Sequence, residues 1–274
     1  MQKSFAEHGT LRLAVAGSLT AGDIGPQDFT GSRKQSAAAS DASAPLSAQA
    51  RLAIEQSTIS EAFQFTAAGA PIGGALKRAA DIIISFTAIA LISPAMLIIF
   101  ALIKLTSGAP AIYAHPRIGH SGRAFKCYKF RTMTFNAEET LVAHLASNAA
   151  AAKEWRQYRK LRDDPRVTAL GRVLRKSSLD ELPQLFNVLR GDMSCVGPRP
   201  IPSDELSEYG ESVRDYVKAR PGITGIWQVS GRNSLDYASR VALDCHYIQH
   251  WSFWTDIAIL FKTPFIVMNF DETS

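Results

Sequence analysis

The chain has 274 residues, enough for one sizeable core with extensions, and its hydrophobic fraction of 46% is that of a globular protein, so any membrane commitment has to be local. A formal net charge of +5 and a pI near 9.2 favour anionic partners (nucleic acid, acidic headgroups or phosphorylated substrates) without choosing between them. Cys127, Cys195 and Cys245 are odd in number and form no Cys-x-x-Cys pair, which excludes a disulfide scaffold, fits a reduced compartment and leaves them as small buried hydrophobes.

Residues 1–70 read as a disordered Ala/Ser-rich extension with little to bury, apart from a short helix around Arg51–Phe63. Leu11–Ala16 is apolar but lacks the basic flank and cleavage site of a secretory signal. Pro71-Ile-Gly-Gly74 ends this region.

Residues 82–103 then carry no charge at all. As a helix they would reach roughly 33 Å at 1.5 Å per residue, enough for a bilayer core. Ser93-Pro94 interrupts the middle of the run, and both flanks are basic: Lys77 and Arg78 before, Lys104, Arg117 and Arg123 after. Positive-inside statistics therefore name no outward end. A re-entrant helix–break–helix, a spanning helix and a buried soluble helix all stay open on these residues.

Downstream, Ala111–Ala114 and Phe125–Met133 read as the strands of a hairpin around His120-Ser-Gly-Arg123. Residues 137–162 read as one helix, with Leu141, Leu145, Ala149, Ala152 and Trp155 in a stripe and a basic end. That end is either a solvated helix terminus or a surface for anionic headgroups. Asp204–Lys218 is expected to be helical, Arg220–Arg232 a glycine-punctuated loop, and the next segment a helix with Tyr237, Val241, Cys245 and Ile248 on one face. The apolar run Ile257–Phe270 contains Lys262 and Pro264 and is too short to span, so it reads as a buried or interfacial helix. Trp251 and Trp254 suit a membrane boundary or a core edge equally well.

The chemistry concentrates at residues 175–202. Asp180 and Glu181 are adjacent carboxylates, and Ser178 with Glu181 also fits a helix-capping box. Pro183 favours Asp180 as the cap, because a proline at the third helical position loses no bond. At a helix mouth near Arg175 the Asp180 carboxylate would be ionised, partly exposed and able to act as a nucleophile. Glu181 would be left for a hard cation such as Mg2+. Arg131, Arg175, Arg199, Arg220 and Arg232 lie in or beside turns, and guanidinium forks match phosphate oxygens. The rigid Gly197-Pro198-Arg199-Pro200 would present one of them. His246 and His250 are spaced like a metal pair but have no evident third ligand. There is no Gly-x-x-x-x-Gly-Lys-Ser/Thr loop and no Asp-x-Asp, which removes the usual nucleotide hydrolase and the common metal motif of glycosyltransferases.

Taken together, Lys77-Arg78, Ser93-Pro94, Lys129-Phe-Arg-Thr-Met133, Asp164-Pro-Arg166, Ser178-Leu-Asp-Glu-Leu-Pro-Gln-Leu185, Val196-Gly-Pro-Arg-Pro200 and Arg220–Arg232 are distinctive. Over Pro71–Phe270 the chain resembles the bacterial sugar transferase family, the monotopic phosphoglycosyl transferases, and looks most like its short galactosyl-phosphate-transferring members that start exopolysaccharide assembly. The resemblance implies an α+β fold with three parts after the extension. These are a re-entrant membrane segment over 71–106, a mostly helical catalytic domain with a small sheet over 107–270, and a tail over 271–274. It implies transfer of galactose or glucose 1-phosphate from a UDP-sugar to undecaprenyl phosphate, with release of UMP, on the cytoplasmic face of the bacterial inner membrane. Asp180 would hold a covalent phospho-sugar and Glu181 would bind Mg2+. Arg131, Arg175 and Arg199 would neutralise diphosphate charge, and Pro198, Arg220, Gln228 and Arg232 join the expected substrate site. No nucleic-acid partner is expected, and self-association is left open. Two other readings remain: a non-catalytic membrane-associated scaffold of a polysaccharide assembly complex, and a glycosyltransferase that releases UDP.

Overall fold

The computed structural model describes residues 69–158, 160–231 and 235–268. The expectations for residues 1–68, for Arg232 and for the 271–274 tail lie outside the described residues.

The uncharged run forms α1, Gly74–Ser107, a helix of 34 residues. Pro94 lacks the N–H that would meet the carbonyl of Ala90, and Ser93 Oγ donates to that carbonyl instead, at 3.2 Å. The helix therefore continues through the Ser-Pro pair rather than ending there. It is long and apolar enough to cross a membrane, and 17% of its most apolar window is buried, where the core helix of a soluble protein would be mostly covered. Asp81, Ser85, Met96, Ile99 and Ile103 lie on the covered side, while Phe86, Leu91, Leu97 and Ile98 are exposed.

Next comes the expected hairpin. Strand β1 (Ile112–Ile118) pairs antiparallel with β2 (Ala124–Phe130), Ile112 opposite Phe130 and Ile118 opposite Ala124. The single helix expected over 137–162 is instead two: α2 (Ala137–Ser147) and α3 (Ala149–Tyr158). Asn148 leaves the helical region, and its side-chain oxygen accepts from the N–H of Ala151 at 3.0 Å, capping α3. No residue of α2 is buried, so its apolar stripe is not a core face. Helix α4 (Ala169–Lys176) is capped by Thr168, which accepts from Gly171 N. A Cβ at Gly171 would come within 2.0 Å of the Thr132 carbonyl, so glycine is what lets α4 lie against the end of β2.

A 3-10 turn, Leu179–Glu181, leads into α5 (Gln184–Arg190), followed by β3 (Ser194–Val196). The helix expected over 204–218 is broken into α6 (Leu206–Tyr209) and α7 (Val213–Tyr216), because Gly210 at φ 51 and ψ −129 departs from helical geometry between them. The expected loop after Arg220 contains β4 (Gly222–Thr224), parallel to β3 with Ser194 opposite Gly222. Helix α8 (Tyr237–Gln249) buries Val241 and Ile248 as expected, with Asp244 and Tyr247 beside them. Helix α9 (Phe253–Met268) starts before the expected Ile257 and includes Lys262 and Pro264.

The architecture is α+β: mostly helical, with two two-stranded sheets among the described residues. One core joins Cys127 of β2, Val188 of α5, Val196 of β3, Tyr247 of α8 and Ile259 of α9. A second surrounds Tyr209, Tyr216 and Ile118. A third sets Met96, Ile99 and Ile103 of α1 against Ala111, Phe130 and Leu174, with Leu179 and Leu182 at its edge. Both halves of α1 thus rest on the same domain. The first half is held by polar contacts: Lys77 Nζ donates to Asp256 at 2.5 Å, and Asp81 accepts from Ser194 Oγ and from Cys195 N, both at 2.9 Å. Lys77 and Arg78 therefore face the protein. Arg78 donates to the carbonyls of Val188 and Leu189 at 2.6 and 2.8 Å, closing the C-terminal end of α5.

Candidate active site

The carboxylate pair sits where three elements converge. Ser178 takes a left-handed backbone, φ 55, which is costly for a residue with a side chain and turns the chain sharply out of α4. Leu179 and Leu182 then insert into the α1 cluster and pin the turn. On its other side α5 is laced to β2 by the fully buried Asn187, which accepts from Tyr128 N at 3.0 Å and donates to the Lys126 carbonyl at 2.7 Å.

The expected placement of Asp180 needs correcting. Helix α5 begins at Gln184, and neither Ser178 nor Asp180 caps it through a side chain. Asp180 lies in the preceding turn and is 9% exposed rather than partly open. Burial, and then the charge of Glu181, push its carboxyl up to about 6, against the lowering by Lys129 and Arg175. Glu181 accepts from Lys129 Nζ at 2.6 Å.

In front of the pair opens a cavity of about 960 Å3. Six cationic side chains line it (Arg117, Lys129, Arg131, Arg166, Arg175 and Arg199) against the three carboxylates of Asp180, Glu181 and Glu138. Arg131 is held by the Pro110 carbonyl at 2.7 Å and lies over the Tyr113 ring. Arg175 Nε donates to Thr132 Oγ1 at 2.8 Å. The Arg199 carbonyl accepts from Tyr216 OH at 3.2 Å, and its guanidinium lies 6.0 Å from the Trp227 ring centre. Burial, and then neighbouring Arg199, lower the proton affinity of Arg117. Behind the pair lies a smaller groove of about 290 Å3, largely apolar, between Ala88 and Ile92 of α1, Leu182 and Leu185, and Ile266 and Val267 of α9. Ser178, Glu181 and Gln228 line both spaces.

Of the residues singled out in the sequence, the cavity gathers Asp180, Glu181, Arg131, Arg175, Arg199 and Gln228. Arg220 is elsewhere: its Nε donates to the Gly191 carbonyl at 2.9 Å, a helix-end contact. Pro198 accepts at its carbonyl from Gly222 N at 2.8 Å and does not line the cavity. Lys129, Arg166, Arg117 and Trp227 were not singled out as site residues. Alternation along β2 put Lys129 on the same strand face as Arg131, a signal that was there to use. His246 and His250 stack on each other at 4.5 Å, and among the described residues no group of three or more His, Cys, Asp or Glu is placed to hold a metal. A carboxylate pair facing a cation-lined cavity does suit Mg2+, which is commonly held by one or two carboxylates with phosphate and water.

The chain is similar to known proteins over most of its length. The model of the family described as bacterial sugar transferase matches residues 72–270. The exopolysaccharide production protein ExoY of Sinorhizobium fredii is 53% identical over 200 residues, covering 73% of this chain and 88% of the relative. The undecaprenyl-phosphate galactose phosphotransferase of Salmonella typhimurium is 54% identical over 197 residues, 72% of this chain but 41% of that longer protein. The UDP-glucose:undecaprenyl-phosphate glucose-1-phosphate transferase of Escherichia coli is 39% identical over 198 residues, 69% of this chain and 39% of the relative. A family match across most of the chain and relatives at this identity leave one conclusion: the chain belongs to the bacterial sugar transferase family.

Proposed function

We propose that the chain is a phosphoglycosyl transferase that moves a hexose 1-phosphate, galactose or glucose, from a UDP-sugar to undecaprenyl phosphate, as a membrane step of exopolysaccharide synthesis. One observation carries this reading: the buried Asp180 and the half-buried Glu181 face a cation-lined cavity, and Glu181 also lines an apolar groove that runs to the helix α1. The two spaces suit a diphosphate donor and a prenyl acceptor, and Glu181 lines both, with Asp180 beside it on the cavity side. The names of the relatives support the same substrates.

The chain's own residues divide the work. Arg131, Arg175 and Arg199 receive the diphosphate, with Lys129, Arg166 and Arg117 adding positive charge around it. Asp180 attacks the β-phosphorus; a bond forms from its carboxylate oxygen, the bond to the bridging oxygen breaks, and UMP leaves with that oxygen. The acceptor's phosphate oxygen then attacks the same phosphorus, the bond to Asp180 breaks, and the carboxylate is regenerated. A carboxyl near 6 is mostly ionised at neutral pH and so can serve as the nucleophile. Glu181, beside it, is the residue that would hold Mg2+, which supplies charge neutralisation to the diphosphate when bound.

The contact of both halves of α1 with one domain supports a re-entrant segment, because a helix crossing the bilayer could not keep its two ends on the same cytoplasmic body.

The deciding experiment is incubation with UDP-hexoses and undecaprenyl phosphate while the nucleotide product is followed. UMP is expected, dependent on Mg2+ and abolished in Asp180→Asn. UDP as the product, or normal turnover by Asp180→Asn, would remove the covalent assignment.

A further inference from the structure

Two residues that line the catalytic cavity each carry a buried polar atom with no hydrogen-bond partner among the described residues: Thr134 its Oγ1 and Gln228 its Oε1. Thr134 lies beyond the end of β2, toward α2, and its hydroxyl can donate or accept. Gln228 is different on both counts. It lies on the junction itself, lining the polar cavity, the apolar groove and a small crevice with Lys129 and Arg199. Its free atom can only accept.

The orientation of this amide follows from its surroundings. Gln228 Nε2 donates to the Ile223 carbonyl at 3.3 Å, and the reversed amide would set two carbonyl oxygens against each other. Oε1 is thereby fixed as the free end. Gly225 makes the room: a Cβ there would lie 3.0 Å from Oε1 and 2.3 Å from the Gly197 carbonyl. A buried acceptor without a donor is unfavourable, and such groups persist where a ligand or water completes them.

We infer that Gln228 reads the sugar: its amide oxygen accepts a hydrogen bond from one hydroxyl of the hexosyl phosphate while that group passes between the two cavities. The inference rests on the transferase reading above. Of the groups which that reaction brings to the junction, phosphate oxygens are acceptors that Oε1 would repel, a prenyl chain has no donor, and the donors of the uridine lie beyond the α-phosphate and leave with UMP. The hexose brings O–H donors, and it stays beside Glu181 through both phosphoryl transfers because it never leaves the phosphorus. Gln228 is then a specificity-determining residue, since a site built around a hydrogen bond rejects an analogue that lacks the donor far more strongly than an apolar pocket rejects a small change in size.

The test uses the full chain in detergent or nanodiscs, with UDP-hexoses in which single hydroxyls are replaced in turn by fluorine. Fluorine keeps the size but cannot donate. In the wild-type protein one analogue should lose about 10-fold or more in kcat/KM for UMP release relative to the parent sugar. In Gln228→Met that analogue and the parent should become equivalent. Gln228→Glu keeps an acceptor oxygen and should keep the discrimination, which a packing role would not predict. Gln228→Asn withdraws the oxygen by one carbon and should behave as Gln228→Met does, so the inference stays testable if the methionine variant does not fold. UMP release with the same discrimination pattern in wild type and in the folded Met or Asn variant overturns this inference alone. Failure of the wild-type protein to release UMP from any UDP-hexose overturns the transferase reading and this inference with it.

Discussion

At the residue scale, Asp180 is built against its own charge. Burial and Glu181 raise its carboxyl to about 6, while Lys129 and Arg175 pull the other way without winning. A carboxyl whose folded pKa lies above its unfolded one binds its proton more tightly in the native state. Its contribution to stability is therefore complete below about pH 4 and is lost as pH rises through about 6. Asp180→Asn should accordingly stabilise the protein at pH 7.5 by roughly 2 kcal/mol, and the gain should vanish toward pH 4. Melting curves with a chelator present, so that no cation offsets the charge, would check this; a variant less stable than wild type at pH 7.5 would refute it. Lys129 belongs to the same balance. Lys129→Met leaves Glu181 without its 2.6 Å partner and removes a cation that favours the ionised Asp180. It should lower UMP release at neutral pH by about 10-fold or more, and the deficit should shrink as the assay pH rises and Asp180 ionises without help. A deficit that does not change with pH would assign Lys129 to substrate binding alone.

At the element scale, α5 carries the site on its N-terminal side and α1 holds its other end. Arg78 bonds the carbonyls of Val188 and Leu189, and Arg220 bonds that of Gly191. Arg78→Met strips two partly buried carbonyls of their charged donor and should cost roughly 1–3 kcal/mol. Arg78→Lys, which cannot fork, should recover only part of it. Thermal melting gives the ranking, and a methionine variant as stable as wild type would mean that α5 does not depend on this clamp. The same contacts explain what could be read in advance. Alternation and the turn at Ser121 made the hairpin legible, and the uncharged run made α1 legible, because both signals are local. The break at Asn148 was hidden because the apolar spacing runs on across it; a cap for α3 and a mid-helix asparagine look the same in sequence. Arg220 was assigned to substrate because a guanidinium beside a turn serves a phosphate or a helix end equally well. The sequence suggests a partly exposed Asp180 because the turn that buries it is pinned by Leu179 and Leu182 packing on α1, far away in the chain.

At the scale of the whole molecule, α1, long and apolar enough to cross a membrane, is also a wall of the catalytic domain. A straight α1 would be about 51 Å long, well beyond a core of roughly 30 Å. Yet its first half is tied to α9 through Lys77 and Asp256, and its second half packs on Phe130 and Leu174. Pulling the first end across the membrane would separate Lys77 from Asp256, and pulling the second would strip Met96, Ile99 and Ile103 from Phe130 and Leu174. The exposed side, with Phe86, Leu91, Leu97 and Ile98, is apolar along the middle, and α9 adds exposed Phe261 and Phe265 beside the groove that it shares with α1. Lipid would then cover one side of the molecule while both ends of α1 stay with the domain. Single cysteines at Leu76 and Leu105, both largely exposed and near opposite ends of the helix, separate the two topologies when placed in a background with the half-buried Cys245 replaced by serine. In sealed vesicles a membrane-impermeant maleimide should label both from the side that also turns over added UDP-sugar, and a cysteine at Leu91 should be shielded from it on either side. Labelling of Leu76 and Leu105 from opposite sides would establish a spanning helix, and the shared wall between membrane and active site would have to be given up.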